Sequence, residues 1–402
     1  MNNNKEHTRE EMTGSVGEIL MYLAACALNE ALPDTDIYSG VDSGLLYSVA
    51  KRHSIESLIA FTLENNGYKG IAPDVADRFR TGKNKAIRKS ILFDAERGEM
   101  ISFMEREKIR YLPLKGVVLQ TYYPKYGMRQ MADNDILYDS GAECRKKFKT
   151  FMVEKGYDAK TGRSAVHDCY YKEPVYNFEM HMKLFEDSDN ENDVADYYRD
   201  VWSRAVIDDD KRYGYHFSDE DFYVYVITHA NKHHSGSGTG IRTLTDTYVM
   251  NRVFADADRD YIDTELEKLG LSEFEKKIRY LAETLLSDPD NTIKQLRALP
   301  EDYRSELTYI LTSGTYGTVK YRVTNRMKDL AGEDGKVTAG MRLRYCIKRT
   351  FPGKNELYPF YPPAKYTVLI PFVWVIRILR GIFLRSGNII REVRILRNLK
   401  KT

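Results

Sequence analysis

Arg129-Gln-Met-Ala-Asp-Asn-Asp-Ile-Leu-Tyr138 is the stretch on which the reading of this chain turns. If its second half is a strand, Asp133 and Asp135 stand two residues apart and project the same way. Hard divalent cations take oxygen ligands, and Mg²⁺ is usually held by one or two carboxylates together with the oxygens of a substrate phosphate. The pair therefore points to phosphoryl or nucleotidyl transfer, whereas an Asp-Asn-Asp run in isolation also suits a solvated turn.

The flanks favour the strand. Ile109-Arg-Tyr-Leu-Pro-Leu114 reads as a short apolar strand ending at Lys115-Gly116, and Gly116 to Tyr123 as one or two turns of helix. A glycine there lets the backbone approach a phosphate and offers amide donors at a helix N-terminus. Downstream, Ser140-Gly-Ala-Glu143 has the spacing of a capping box, opening a helix with Cys144, Phe148, Phe151 and Met152 on its apolar face and Gly156 at its end.

A third acid follows in a segment that alternates strictly. In Val175 to Leu184, Tyr176, Phe178, Met180, Met182 and Leu184 share one face, and Asn177, Glu179, His181 and Lys183 the other. Polar residues on a half-buried strand ordinarily serve solubility, but the upstream aspartates give Glu179 a second meaning.

Taken together, Leu114-Lys-Gly116, Tyr123-Pro124, Arg129, Asp133-x-Asp135-Ile-Leu137, Gly156-Tyr157, His167 and Glu179-x-His181 resemble the bacterial nucleotidyltransferases of the DNA polymerase beta-like superfamily. His229-Ala-Asn-Lys-His233 and Gly240-Ile-Arg-Thr-Leu-Thr-Asp246 look like the helical segment behind that catalytic core, so the resemblance covers roughly residues 44 to 250. Two positions depart from it: Lys115-Gly116 replaces the usual Gly-Ser or Gly-Gly opener, and Asn134 replaces an apolar residue between the aspartates.

The resemblance implies an α+β fold with a small mixed sheet as nucleotidyltransferase core. It also implies a nucleoside triphosphate donor, ATP being a guess from the superfamily since no residue of the chain marks a base preference, and Mg²⁺ or Mn²⁺ held by Asp133, Asp135 and Glu179. Lys115, Gly116 and Arg129 are then candidate phosphate contacts, one cation a point charge and the other a bidentate fork. His167 and His181 fall near the metals as hydrogen-bonding partners of the ligands. His229, Lys232, His233 and Arg242, with Asp246, form a polar patch that either reaches the nucleotide or packs on the sheet. A non-catalytic nucleotide-binding or scaffolding protein with the same fold is the alternative. The acceptor, whether small molecule, sugar or protein, is not written in the chain.

Other chemistries fit less well. His229 and His233 share a helix face, but a zinc protease of that type needs Glu after the first histidine, and Ala230 stands there. Ser235-Gly-Ser-Gly-Thr-Gly240 lacks the Gly-Lys-Ser/Thr ending of a P-loop.

The 402 residues, 42% hydrophobic and 30% charged, have an ordinary globular composition with room for two or three modules. We expect a disordered tail over 1–14, an N-terminal helical subdomain over 15–108, the catalytic core over 109–205, a helical domain over 206–335 and a basic segment over 336–402. Ser15 to Glu18 is read as the cap of the first helix, whose Ile19, Leu20, Leu23, Ala27 and Leu28 form an apolar stripe. The long acid-containing stretch before it does not read as a signal peptide. Four cysteines without paired spacing suit a reducing cytoplasm.

From Met341 onward there are fourteen Lys or Arg and two acids, in a chain whose net charge is only +2. Tyr366 to Arg380 is apolar but broken by Pro371, Arg377 and Arg380, too short a run for a membrane span. Its amphipathic continuation suits a docked helix with a solvated basic face, which we favour. A helix lying on an anionic membrane surface is the next reading, and nucleic acid is disfavoured because no stacking aromatics accompany the charges.

Overall fold

Strict alternation in 175–184 becomes strand β5 (Tyr176–His181), and it lies beside the aspartate strand. The computed structural model describes residues 2–162, 164, 166–186, 192–331, 337–358 and 360–398, with side chains described from Ser15 except at 192, 193, 355, 384–386 and 388. β1 (Tyr111–Pro113), β2 (Asn134–Tyr138), β3 (Asp158–Lys160), β4 (His167–Lys172) and β5 form one sheet in the order β1-β2-β5-β4-β3. Only the β2–β5 pair is parallel, so the sheet is mixed and the chain, otherwise mostly helical, has the expected α+β class.

Register fixes what each face carries. Asp135 pairs with Glu179, Leu137 with His181, Cys169 with Glu179 and His167 with His181. Paired residues on neighbouring strands share a face, so these polar side chains emerge together. The other face is apolar: Ile136, Tyr138, Tyr170, Phe178 and Met180 pack against Phe148 and Met152 of helix Ala142–Glu154 and Met100 and Met104 of the long helix Pro73–Glu107. β2 begins at Asn134, which points into this apolar face, is fully buried and accepts a 2.7 Å hydrogen bond from Arg97 Nη1 of the long helix. Asp133 lies just before the strand.

Three local expectations change. Helix Ala142–Glu154 starts without the Ser140 cap: Gly141 occupies the N-cap position, and its amide donates to Asp139 Oδ1 at 3.3 Å. The first helix runs Asn2–Leu28, so Ser15 is inside it, not at its start. Helical backbone thus continues through most of the stretch expected to be a tail; Met1 and the side chains of that stretch lie outside the described residues. Burial of this helix is also wider than a stripe, since Leu20, Met21, Leu23, Ala24 and Leu28 are all enclosed. Around it gather Ile59 and Leu63 from one side of the sequence and Ile241, Leu244, Ile278 and Leu281 from the other, in a single apolar cluster. The helical residues before and after the core share this cluster.

His53 stitches those regions. Fully buried, its Nε2 donates to Leu311 O at 3.0 Å, and its Nδ1 accepts from the amide of Ile241 at 3.1 Å. Gly240 must be glycine for this approach, because a Cβ there would stand 2.8 Å from His53 Nδ1 and 2.8 Å from the Thr315 amide. The C-terminal helix Ile370–Asn398 docks at its two ends, through Ile370 and Val373 and through Leu396. Its middle does not dock as expected: Leu379 is 49% exposed and Phe383 79%. Among the described residues no helix is long and apolar enough to cross a membrane.

Burial, reinforced by Arg52, lowers the His53 pKa to about 3, so the folded protein holds a neutral ring where the unfolded chain binds a proton below pH 6.5. Its stabilising contribution is complete above pH 6.5 and shrinks as pH falls from there toward 3. His53→Ala, which strands two buried backbone groups, is expected to lower unfolding free energy by about 2–4 kcal/mol at pH 8 and by less at pH 5.5. Denaturant unfolding at both pH values checks this; an equal loss at both would contradict the neutral-ring assignment.

Candidate active site

Lys115 is where backbone and charge meet. β1 ends at Pro113, the Leu114 amide donates to Asp135 O at 2.9 Å, and Lys115 then opens the five-residue helix Lys115–Leu119 with φ of +33°. That is unfavourable backbone for a residue with a side chain and persists only where the surroundings over-determine it. The surroundings here are electrostatic: Lys115 Nζ lies 3.2 Å from Asp135 Oδ2 and donates to His229 Nε2 at 3.0 Å.

Asp135 is 4% exposed, and His181 Nε2 donates to its Oδ1 at 2.9 Å. Burial alone would raise its pKa, but Lys115 and His181 outweigh it and hold the carboxyl well below the usual carboxylate range. Glu179, across the parallel pair, is pushed up to about 7 by burial and by the charges of Asp135 and Asp133. Asp133 is also raised, by burial and by Asp135, against the pull of Lys115, Arg242 and Lys89. His167 Nε2 stands 3.7 Å from Glu179 Oε2, and burial and His181 lower this ring to about 4, so it is neutral.

Metal-capable atoms cluster twice on this face: Asp135, Glu179 and His181, and, sharing Glu179, His167 and Cys169. Ligand atoms within each group lie within 4.8 Å of one another. Asp133 stands outside both groups, although it lines the same cavity as Asp135. The chemistry of the donors fits a divalent cation: the charge of Asp135 drives both Glu179 and Asp133 toward protonation, which a cation among them would reverse.

The cavity, about 200 Å³, brings Lys115, Gly116 and Arg129 from the core together with His229, His233 and Arg242 from the helices Asp219–Gly236 and Ile241–Val253. Ser218 caps the first of these, accepting from the Asp221 amide at 3.2 Å. Two of the expected residues are used differently from the simplest expectation. Arg129 aims Nε and Nη2 at Asp246, at 2.7 and 3.0 Å, and its remaining nitrogen packs so close to Gly116 that a Cβ on that glycine would lie 2.9 Å away. Lys232 is not in the lining; its ammonium sits 5.6 Å from the Phe185 ring centre.

Arg242, one turn before Asp246, has no such partner. Its guanidinium makes no hydrogen bond or ion pair among the described residues, and burial together with Arg129 lowers its pKa. A half-buried, unpaired guanidinium at a cavity wall is a site for an anion. Three contributors were not foreseen. Lys89, near Asp133 and 2.9 Å from Ala132 O, and Arg97 come from the long helix, and Cys169 comes from β4. Alternation in β4 could have flagged Cys169 beside His167; nothing local marks the other two.

The family model described as an uncharacterised nucleotidyltransferase matches residues 39–287, a span that takes in the sheet, both carboxylate strands and the helices bearing His229 and Arg242. No curated protein matches the chain, and neither does any solved structure.

With Glu179 raised to about 7, Mn²⁺ must displace a proton below that pH, so affinity is expected to fall roughly tenfold per pH unit beneath 7. Mn²⁺ titration followed by electron paramagnetic resonance between pH 5.5 and 8 reads the slope. Glu179→Gln should bind more weakly and lose that slope; a variant with the slope intact would remove Glu179 from the ligand set.

Proposed function

From membership of the chain in this uncharacterised nucleotidyltransferase family, we propose that it transfers a nucleoside monophosphate from a nucleoside triphosphate, ATP being the first to try, to an acceptor hydroxyl. One observation carries the reading: Asp133 and Asp135 line the same cavity as the unpaired Arg242 guanidinium. Carboxylates for cations and a free cation for phosphate, side by side, suit a metal-triphosphate complex.

In this reading Asp133, Asp135 and Glu179 hold Mg²⁺ or Mn²⁺, and His181 orients Asp135 through its 2.9 Å hydrogen bond. A bound divalent cation would neutralise phosphate charge and make the acceptor hydroxyl easier to ionise. Arg242 grips the β- and γ-phosphates, helped by Lys115 and by the amide of Gly116. Arg129, fixed on Asp246, holds the cavity wall and sets the distance between Gly116 and Arg242. His229 receives the Lys115 ammonium, and burial and Lys115 keep it neutral, with its pKa well below the ordinary value.

In the same reading the Glu179 carboxylate takes the acceptor proton. The acceptor oxygen bonds to the α-phosphorus, the bond from that phosphorus to the bridging oxygen breaks, and pyrophosphate leaves with the electron pair. No covalent enzyme intermediate is required. Free thiols at Cys26, Cys144, Cys169 and Cys346 suit the cytoplasm, where such donors are made.

Thermal shift with each ribonucleoside triphosphate, with and without Mg²⁺ or Mn²⁺, tests the donor site. Ligand at a hundred times its dissociation constant adds about 2.7 kcal/mol, so a metal-dependent shift for the donor is expected. Asp135→Asn should abolish it, Arg242→Gln should weaken triphosphate affinity by about 10- to 100-fold, and His233→Ala should cost less than Asp135→Asn. Label from α-³²P nucleotide appearing on an acceptor completes the case. A shift with no metal dependence, or one unchanged in Asp135→Asn, would sink the assignment; binding without transfer to any acceptor would leave the non-catalytic alternative.

A further inference from the structure

Most of the exposed large apolar side chains among the described residues lie beyond residue 340, where the charge is also most one-sided. In helix Ile370–Asn398, Phe372, Ile376, Leu379, Phe383, Ile390 and Val393 recur at steps of three, four or seven and are 46–79% exposed. At 100° per residue they form one stripe, and the exposed Arg380, Arg391 and Arg394 fall along one border of it. The helix's described acid is turned away: Glu392 accepts from Tyr345 and pairs with Arg349 at 3.3 Å on the docked side.

The neighbouring helix Ala339–Thr350 repeats the design. Leu343 and Ile347 are 62% and 52% exposed, Arg344 and Lys348 beside them are exposed, and Tyr345 on the opposite side is buried. Both helices are anchored to the body through Tyr345, Leu396, Val323 and Met327. What is fixed to the protein is therefore the side that carries Tyr345, Glu392 and Leu396, and what is left uncovered is the apolar stripe with its basic border.

We propose that these two helices seat the protein on the surface of an anionic lipid bilayer. The apolar stripe enters the boundary of the acyl chains, and Arg380, Arg391 and Arg394 stand at lipid phosphates. A second copy of the chain fits the surface poorly, because a symmetric contact would set one arginine border against another. Nucleic acid would satisfy the arginines and leave the aliphatic stripe in water. Among the described residues no helix is both long and apolar enough to cross a membrane, and the proposed attachment is to one leaflet. Nothing in this argument depends on the chemistry of the catalytic cavity.

Flotation of the full chain with vesicles of phosphatidylcholine alone, or of phosphatidylcholine with a minority of phosphatidylglycerol, tests it. We expect binding to the anionic vesicles, weak binding to the neutral ones, and partial release at high salt. Changing Arg380, Arg391 and Arg394 together to Gln should weaken binding to anionic vesicles by roughly 100-fold. Phe372→Asp with Phe383→Asp should abolish it, and neither variant should change the melting temperature, since all five side chains are exposed. Absence of flotation with anionic vesicles overturns the proposal, as does flotation that both variants retain. A dimer seen by light scattering, broken by the phenylalanine variant in a chain that does not float, would reassign the stripe to self-association.

Discussion

A carboxylate that stays charged while almost wholly withdrawn from water is the constraint on which the rest of the core depends. Desolvation works against ionised Asp135, and only the nearby ammonium of Lys115 and the hydrogen bond from His181 reverse it. Each partner has consequences of its own. Lys115 reaches Asp135 from a backbone with positive φ, and its second contact, His229, must be neutral, which burial on the Asp219–Gly236 helix secures. His181 can approach only because β5 runs parallel to β2 in the register that sets Leu137 opposite it, and the same register brings Glu179 beside Asp135.

A second buried ion pair joins the core to the helices behind it. Arg129 and Asp246 are 117 residues apart, and Tyr123 OH adds a 2.7 Å hydrogen bond to the same carboxylate. Because Asp246 is saturated, Arg242 one turn earlier is left without a carboxylate, and that helical spacing is what turns a structural arginine pair into one structural and one available cation. His53 fixes the start of the same helix through the Ile241 amide, so the orientation of Arg242 is set from the N-terminal helices as well.

Elements read from short-range pattern were legible: the alternation of β5, the strand that carries Asp135 and the Gly156 helix end all stand in the structure. What was hidden depends on distant partners. Asn134 looked out of place between the aspartates because Arg97, which satisfies it, belongs to a helix 37 residues upstream. Arg129 read as a phosphate ligand because its type suits phosphate as well as carboxylate, and only the fold reveals Asp246 in front of it. The Ser140-x-x-Glu143 pattern failed because the helix begins one residue later than the box requires, with Gly141 at the N-cap position. In the C-terminal helix the amphipathic pattern was correct but silent about which side would be covered, since a stripe facing a core and a stripe facing lipid have the same period.

The cavity is therefore not a property of the sheet alone. Its acidic wall comes from β2, and its cationic wall from Lys115 after β1 and Arg242 on the helix Ile241–Val253. Core and helices are joined at this cavity twice, by the Arg129–Asp246 pair and by the Lys115–His229 contact, one acting through charge on a buried carboxylate and the other through a neutral ring. Removing the helical residues from 206 onward would leave the Lys115 ammonium without its second partner and Arg129 as an unpaired buried cation, which is strongly destabilising in a low-dielectric interior. The matched span, which reaches well past the last strand of the five-stranded sheet to residue 287, takes in both the sheet and the helices on which this dependence rests.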